Sequence, residues 1–113
     1  MKGLSLKTMS SPGDDHPVYY IYKGGEHIGA IESYIDPATS TLVVRNFFVD
    51  KRGILTKGFL KSIFRLLESK AKSLRMERVG VERKPEHSHM YSVSGFVEAE
   101  GDWGNIVSRP VRE

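Results

Sequence analysis

The chain has 113 residues, no cysteine, and 17 Lys and Arg against 14 Asp and Glu, a formal net charge of +3. That length corresponds to one domain, read here as residues 1–113, and it can bury roughly two thirds of its unfolded surface without covalent staples. Disulfides and thiolate metal sites are excluded, no apolar run approaches the ~20 residues of a membrane-spanning helix, and Met1-Lys2-Gly3-Leu4-Ser5-Leu6-Lys7 has no signal-peptide core. The expectation is a protein of a reducing compartment, the cytoplasm, without membrane association.

A short N-terminal segment leads into residues 10–17, Ser-Ser-Pro-Gly-Asp-Asp-His-Pro, a run of turn formers. Val18-Tyr19-Tyr20-Ile21-Tyr22 is β-branched and aromatic, as suits a strand. Gly24-Gly25 can supply the positive φ angles of a tight hairpin turn, and His27 to Ile35 reads as the returning strand. After a turn over residues 36–40 comes a third strand, residues 41–49. It is nearly all apolar, so both of its faces are expected to be covered. The period then changes: Leu60, Ile63, Phe64, Leu67, Ala71 and Leu74 form one stripe of an α-helix, predicted over Thr56–Arg75. Arg78 to Arg83 reads as a strand, Pro85 to Tyr91 as a short helix, Ser94 to Ala99 as a strand, residues 101–104 as a turn and Asn105–Val111 as a terminal strand. With the N-terminal segment counted as a strand, a meander feeds one β–helix–β crossover. The fold class is α+β: a mixed, α/β-type sheet with at least one parallel pair and a helix expected on each face.

The charge is unevenly placed. Between Lys51 and Lys84 lie 11 basic and 3 acidic residues, whereas the remainder is acidic on balance. A basic segment in an acidic frame points to a polyanionic ligand, such as a phosphate-bearing cofactor, a nucleic acid or an acidic protein. The plain alternative is a solvated helix face.

Three pieces occur in an order that resembles the GNAT (general N-acetyltransferase) superfamily, over roughly Val18 to Glu100. Tyr91-Ser92-Val93-Ser94-Gly95-Phe96 is similar to that family's Tyr-x-x-x-Gly-Phe signature. Gly24-Gly25 followed by His27-Ile28-Gly29 is similar to its hairpin with Val/Ile-Gly. Phe47-Phe48-Val49, ahead of a basic loop and a long helix with Ala71 late in it, is similar to the strand that carries the cofactor. There are departures. The family's loop Arg/Gln-x-x-Gly-x-Gly/Ala is matched here only by Gly58 within Leu55-Thr56-Lys57-Gly58-Phe59-Leu60, and the helices that usually wall the acceptor site are not expected in the residues ahead of the Gly24-Gly25 hairpin.

The resemblance implies acetyl-CoA as cofactor and direct attack of an amine on its thioester. Phe48, Val49, Arg52, Gly53, Thr56, Lys57 and Gly58 would then hold the cofactor, because amides at a helix N-terminus, unobstructed by glycine, bind phosphate groups. Thr56 is otherwise an ordinary N-cap. Tyr91 stands at the family's acid position, where a phenol can protonate a leaving thiolate. Glu32 and Glu82 are candidate general bases, with His27 a third choice. The thioester carbonyl would be polarised by a backbone N–H near Phe48 or Val49. His87 and His89, two apart with no cysteine nearby, make a poor metal pair, and no metal is expected. The partners expected are acetyl-CoA and an amine acceptor, small molecule or protein, with a homodimer possible through an exposed sheet edge. Two other readings stand beside the enzyme: a non-catalytic interaction module of the same fold, and a basic nucleic-acid binder using Lys57, Lys61, Arg65, Lys72 and Arg75.

Overall fold

Alternation and turn chemistry place the strands where the sequence suggests. In a computed structural model, which describes residues 3–50, 56–84, 87, 90, 97–101 and 104–111, the elements are β1 (Leu4–Thr8), β2 (Val18–Lys23), β3 (Glu26–Asp36), β4 (Thr41–Val49), α1 (Lys57–Ser73), β5 (Arg78–Glu82), β6 (Val97–Gly101) and β7 (Gly104–Pro110). They form one sheet in the order β1-β2-β3-β4-β5-β7-β6. β4 and β5 are parallel, joined by the α1 crossover, and every other neighbouring pair is antiparallel. The mixed sheet expected from the sequence is thus present. At the turn between β2 and β3, Gly24 and Gly25 have φ of 58° and 84°, the positive values that only glycine adopts cheaply.

α1 buries one stripe: Phe59, Leu60, Ile63, Phe64, Leu67 and Ala71. It packs on the sheet face made by Ile21, Ile31, Leu42, Val44, Val79 and Val81. Each such fully buried apolar side chain contributes about 1.5–3 kcal/mol, so this layer holds β4 and β5 in place. A buried ion pair, Glu68 Oε1 to Arg109 Nη2 at 3.7 Å, ties the helix to β7, and the Arg109 guanidinium lies 5.7 Å above the Phe64 ring centroid.

The helix ends are specified locally. The Thr56 side chain accepts from the Phe59 N–H at 3.1 Å. At the other end Met76 N–H donates to Ala71 O at 2.8 Å and Arg75 N–H to Lys72 O at 3.0 Å. This is the Schellman pattern, and it forces Arg75 to φ 62°. Lys70 and Lys72 in the last turn oppose the negative end of the helix dipole.

The other face of the sheet departs from expectation. Among the described residues no helix covers it. Its centre is closed instead by a small cluster of Tyr34, Val43 and Ile106, packed tightly because Gly80 has no side chain: a Cβ there would lie 2.7 Å from Ile106 Cγ2 and 3.0 Å from Thr41 Cγ2. The short helix expected over 85–91 lies largely outside the described residues. His87 is in a 3₁₀ turn, its N–H donating to Lys84 O at 2.9 Å, and Met90 packs into the main core. The expectation that β4 is covered on both faces holds for Leu42, Val43 and Val44 and fails beyond Arg45, where Phe48 is 54% exposed.

Two outcomes follow from this packing. Arg75→Gly relieves a left-handed conformation that costs an ordinary residue about 1–2 kcal/mol, so it should raise the urea midpoint with an unchanged slope; a lower midpoint would contradict the cap assignment. Burial pushes the Tyr19 phenol from its usual 10.0 up to about 12 and raises that of Tyr34, by burial and then by the nearby Glu82 charge. The folded state therefore keeps protons that the unfolded chain releases near pH 10. Stability is fully present below that pH and falls as pH rises towards about 12. Tyr19→Phe should flatten the alkaline decline measured by urea unfolding.

Candidate functional site

The site is built on a mismatch between two strand lengths. β4 and β5 pair from Thr41–Arg78 to Val44–Val81 and no further, yet β4 continues to Val49. At the same level β4 carries a bulge. Its partners on β3 step from Glu32↔Asn46 to Ser33↔Val44, so Arg45 is the extra residue. Beyond it β4 pairs only with β3, and its other edge faces the gap that β5 has left. Asp50 N–H donates to Ile28 O on the β3 side at 2.8 Å. Because successive strand amides point to opposite edges, the N–H groups of Val49 and Phe47 point into the gap.

The N-terminus of α1 comes to this same end of the sheet, as the crossover from β4 to β5 requires. Thr56 satisfies the Phe59 N–H, and Leu60 N–H donates to Thr56 O at 3.0 Å. The amides of Lys57 and Gly58 are left without an acceptor within the helix, at the positive end of its dipole. No acidic residue lies in this first turn. A Cβ on Gly58 would find only Thr56 Oγ1, at 4.0 Å, so the approach to these amides is open. Leu60, which stands where the resemblance calls for a small residue, is 2% exposed and points into the core; it does not obstruct the cradle.

On the face away from α1, polar side chains cross the gap in a chain. Asn46 Nδ2 donates to Glu32 Oε1 at 2.8 Å. Lys84 Nζ donates to Asn46 Oδ1 at 3.2 Å and to Arg45 O at 2.7 Å, and lies 3.4 Å from Glu82 Oε1. Arg45 Nε lies 3.5 Å from Glu82 Oε2, with its guanidinium 5.7 Å from the Tyr34 ring centroid. The two candidate carboxylates are thus linked through Asn46 and Lys84, two residues that the sequence reading did not single out. Nothing in their local sequence marks them: they meet Glu32 and Glu82 only through the strand register.

The structure brings Phe48, Val49, Thr56, Lys57, Gly58, Glu32 and Glu82 to this end of the sheet. Glu32 is exposed, and Asn46 is a neutral partner to it. Glu82, 15% exposed at its side chain, is flanked by two cations. His27 stacks on Tyr20, with centroids 4.3 Å apart, and its Nε2 lies 3.0 Å from Gly29 O. His87 is buried, with Nδ1 2.8 Å from Glu82 O. Arg52, Gly53, His89 and Tyr91 lie outside the described residues. Among the described residues no group of three or more His, Asp or Glu side chains is placed to hold a metal, and no helix is long and apolar enough to cross a membrane.

No family model matches the chain, and no curated protein matches its sequence. Solved structures do match its fold. A GNAT family acetyltransferase from Elizabethkingia anophelis with acetyl-CoA bound is 10% identical, over 100% of both chains, with a TM-score of 0.65. The ribosomal-protein-S18-alanine N-acetyltransferase of Escherichia coli is 14% identical, over 89% of this chain and 72% of that one, with a TM-score of 0.61. An aminoglycoside acetyltransferase in complex with ribostamycin and coenzyme A is 16% identical, over 85% of this chain and 64% of that one, with a TM-score of 0.63. The chain spans less than two thirds of the length of that aminoglycoside enzyme. The likeness is one of fold, and the fold is GNAT.

Gly29 sets the position of the opened strand, because a Cβ there would overlap the Phe48 carbonyl oxygen and press on Val49 Cα at 3.2 Å. Gly29→Ala should cost roughly 1–3 kcal/mol in urea unfolding, as overpacked sites do. A neutral result would show that β4 can shift freely at residues 48–49.

Proposed function

We propose that this chain is an acetyl-CoA-dependent N-acetyltransferase, in which an amine attacks the thioester directly. The observation that carries this reading is the opened edge of β4 lying beside the amide-rich N-terminus of α1. A strand edge with inward N–H groups suits an extended, amide-bearing ligand arm, and the helix end suits its phosphates. Coenzyme A joins those two features in one molecule. The basic balance of residues 51–84 is complementary to it, and Lys57 and Lys61 flank the helix end.

Coenzyme A would be held by the backbone of Phe48 and Val49, by Thr56, Lys57 and Gly58, and by Arg52 and Gly53, which precede Thr56 in sequence. Its thioester supplies the activated acyl group. Between the two amides considered for the carbonyl, that of Val49 is the better placed, since it points into the gap. Glu32 is the preferred base for an incoming ammonium: it is exposed and its partner is a neutral amide, whereas Glu82 is already flanked by Arg45 and Lys84. The N–C bond forms as the C–S bond breaks, and the departing sulfur takes a proton, a role for which Tyr91 is proposed. The non-catalytic alternative drew on Leu55 and Leu60; the Leu60 side chain is buried in the core, and Leu55 lies outside the described residues.

Coenzyme A should raise the melting temperature. At ~100 times Kd the gain is roughly 2.7 kcal/mol, and no shift at millimolar coenzyme A would end the proposal. Glu32→Gln should lower turnover with an accepted amine by at least about a hundredfold while leaving the coenzyme A shift intact. Tyr91→Phe should act on turnover in the same selective way.

A further inference from the structure

Lys84 is placed unlike the other described lysines. Lys7, Lys23, Lys57, Lys61 and Lys72 are exposed, and Lys70 lies towards the far end of α1, donating to Thr8 Oγ1 at 3.2 Å. The Lys84 side chain is 25% exposed and reaches back from the end of β5 across the gap. Its ammonium sits among three oxygens: Arg45 O at 2.7 Å, Asn46 Oδ1 at 3.2 Å and Glu82 Oε1 at 3.4 Å. The first of these belongs to the residue at which β4 leaves β5. The fold therefore carries a primary amine of its own to the opened edge of β4, with a carboxylate beside it. Neither local propensity nor core packing calls for a lysine here.

We propose that Lys84 is an intramolecular acceptor, and so a self-acetylation site. This rests on the acetyltransferase reading of the same gap. The ammonium gives up one proton to solvent water, and the neutral amine attacks the acyl carbon of an acyl-CoA thioester. The Nζ–C bond forms, the C–S bond breaks, and the sulfur leaves with the bonding pair and is protonated to the free thiol. The product is a neutral amide that keeps one N–H donor. It ends the charge pairing of Lys84 with Glu82 and leaves Arg45 as that carboxylate's cation. The bulkier group stays in the gap, so modification alters the place where acceptor and cofactor meet. Holding the amine against the strand edge raises its effective concentration far above that of a surface lysine.

The test uses the full chain, purified free of acetyl groups and incubated with acetyl-CoA over a protein dilution series. Peptide mass spectrometry locates acetyl groups, and thermal shifts with coenzyme A are read on the same preparation. Lys84 should be acetylated at least roughly tenfold faster than the exposed lysines, at a rate independent of protein concentration. Lys84→Arg, which keeps the charge, should remove the fast component. Coenzyme A binding with an unmodified Lys84 overturns the proposal and leaves the binding reading standing. Equal modification of all lysines, or a Lys84 rate that grows with protein concentration, also overturns it by showing solution chemistry or transfer between molecules. Absence of both binding and modification overturns the proposal together with the acetyltransferase reading.

Discussion

Parallel pairing between β4 and β5 stops at Val44–Val81 while β4 runs on to Val49, and the candidate site depends on that difference. A strand that loses one neighbour exposes a row of N–H and C=O groups, which elsewhere invites aggregation. Here the exposed row lies inside a notch instead of on an outer edge. The bulge at Arg45 turns β4 at the level where β5 ends, and such irregularities re-aim side chains next to functional sites. The crossover then delivers the start of α1 to the same end. Strand edge, helix end and gap are three consequences of one topology, and together they suit the proposed ligand, with its extended amide arm and anionic end.

Holding such a notch open needs rigid support on either side. On one face α1 supplies it, with Phe59, Ile63, Phe64 and Leu67 packed on Leu42, Val44, Val79 and Val81. On the other face the close approach allowed by Gly80 locks Thr41, Ile106 and Ser108 together. Between them, charge bridges the gap: Arg45 and Lys84 reach Glu82 from β4 and from beyond β5. Partly exposed pairs of this kind contribute little to stability, typically up to about 1 kcal/mol. Their placement matters more than their strength, because they fix which side chains stand at the mouth of the gap.

Much of this fold could be read from the sequence. The helical stripe from Leu60 to Ala71, the Gly24-Gly25 turn and the apolar start of β4 are local patterns, and the ordered elements follow them. The mixed sheet followed from one β–helix–β crossover. The fold resemblance came from motifs spread along the chain, and solved GNAT structures share that fold. What could not be read depends on register. The bulge at Arg45 is defined by which residues of β3 lie opposite, and the contacts of Asn46 with Glu32 and of Lys84 with Asn46 join residues far apart in the chain. Leu60, by contrast, takes the core position that its place in the helical stripe implies. The basic stretch likewise divides once placed. Lys57 and Lys61 stand at the positive end of α1, and Lys70 and Lys72 offset the negative end.

The central claim is that the opened edge of β4 and the first turn of α1 form one ligand cleft. The most direct measurement is an amide spectrum of nitrogen-labelled protein titrated with coenzyme A. The account predicts shifts concentrated at Phe47, Val49, Lys57 and Gly58, saturating together with a single affinity, with the β1–β2 end of the sheet unmoved. Shifts confined to the exposed basic face of α1 and abolished by moderate salt, with Phe47 and Val49 unaffected, would contradict it.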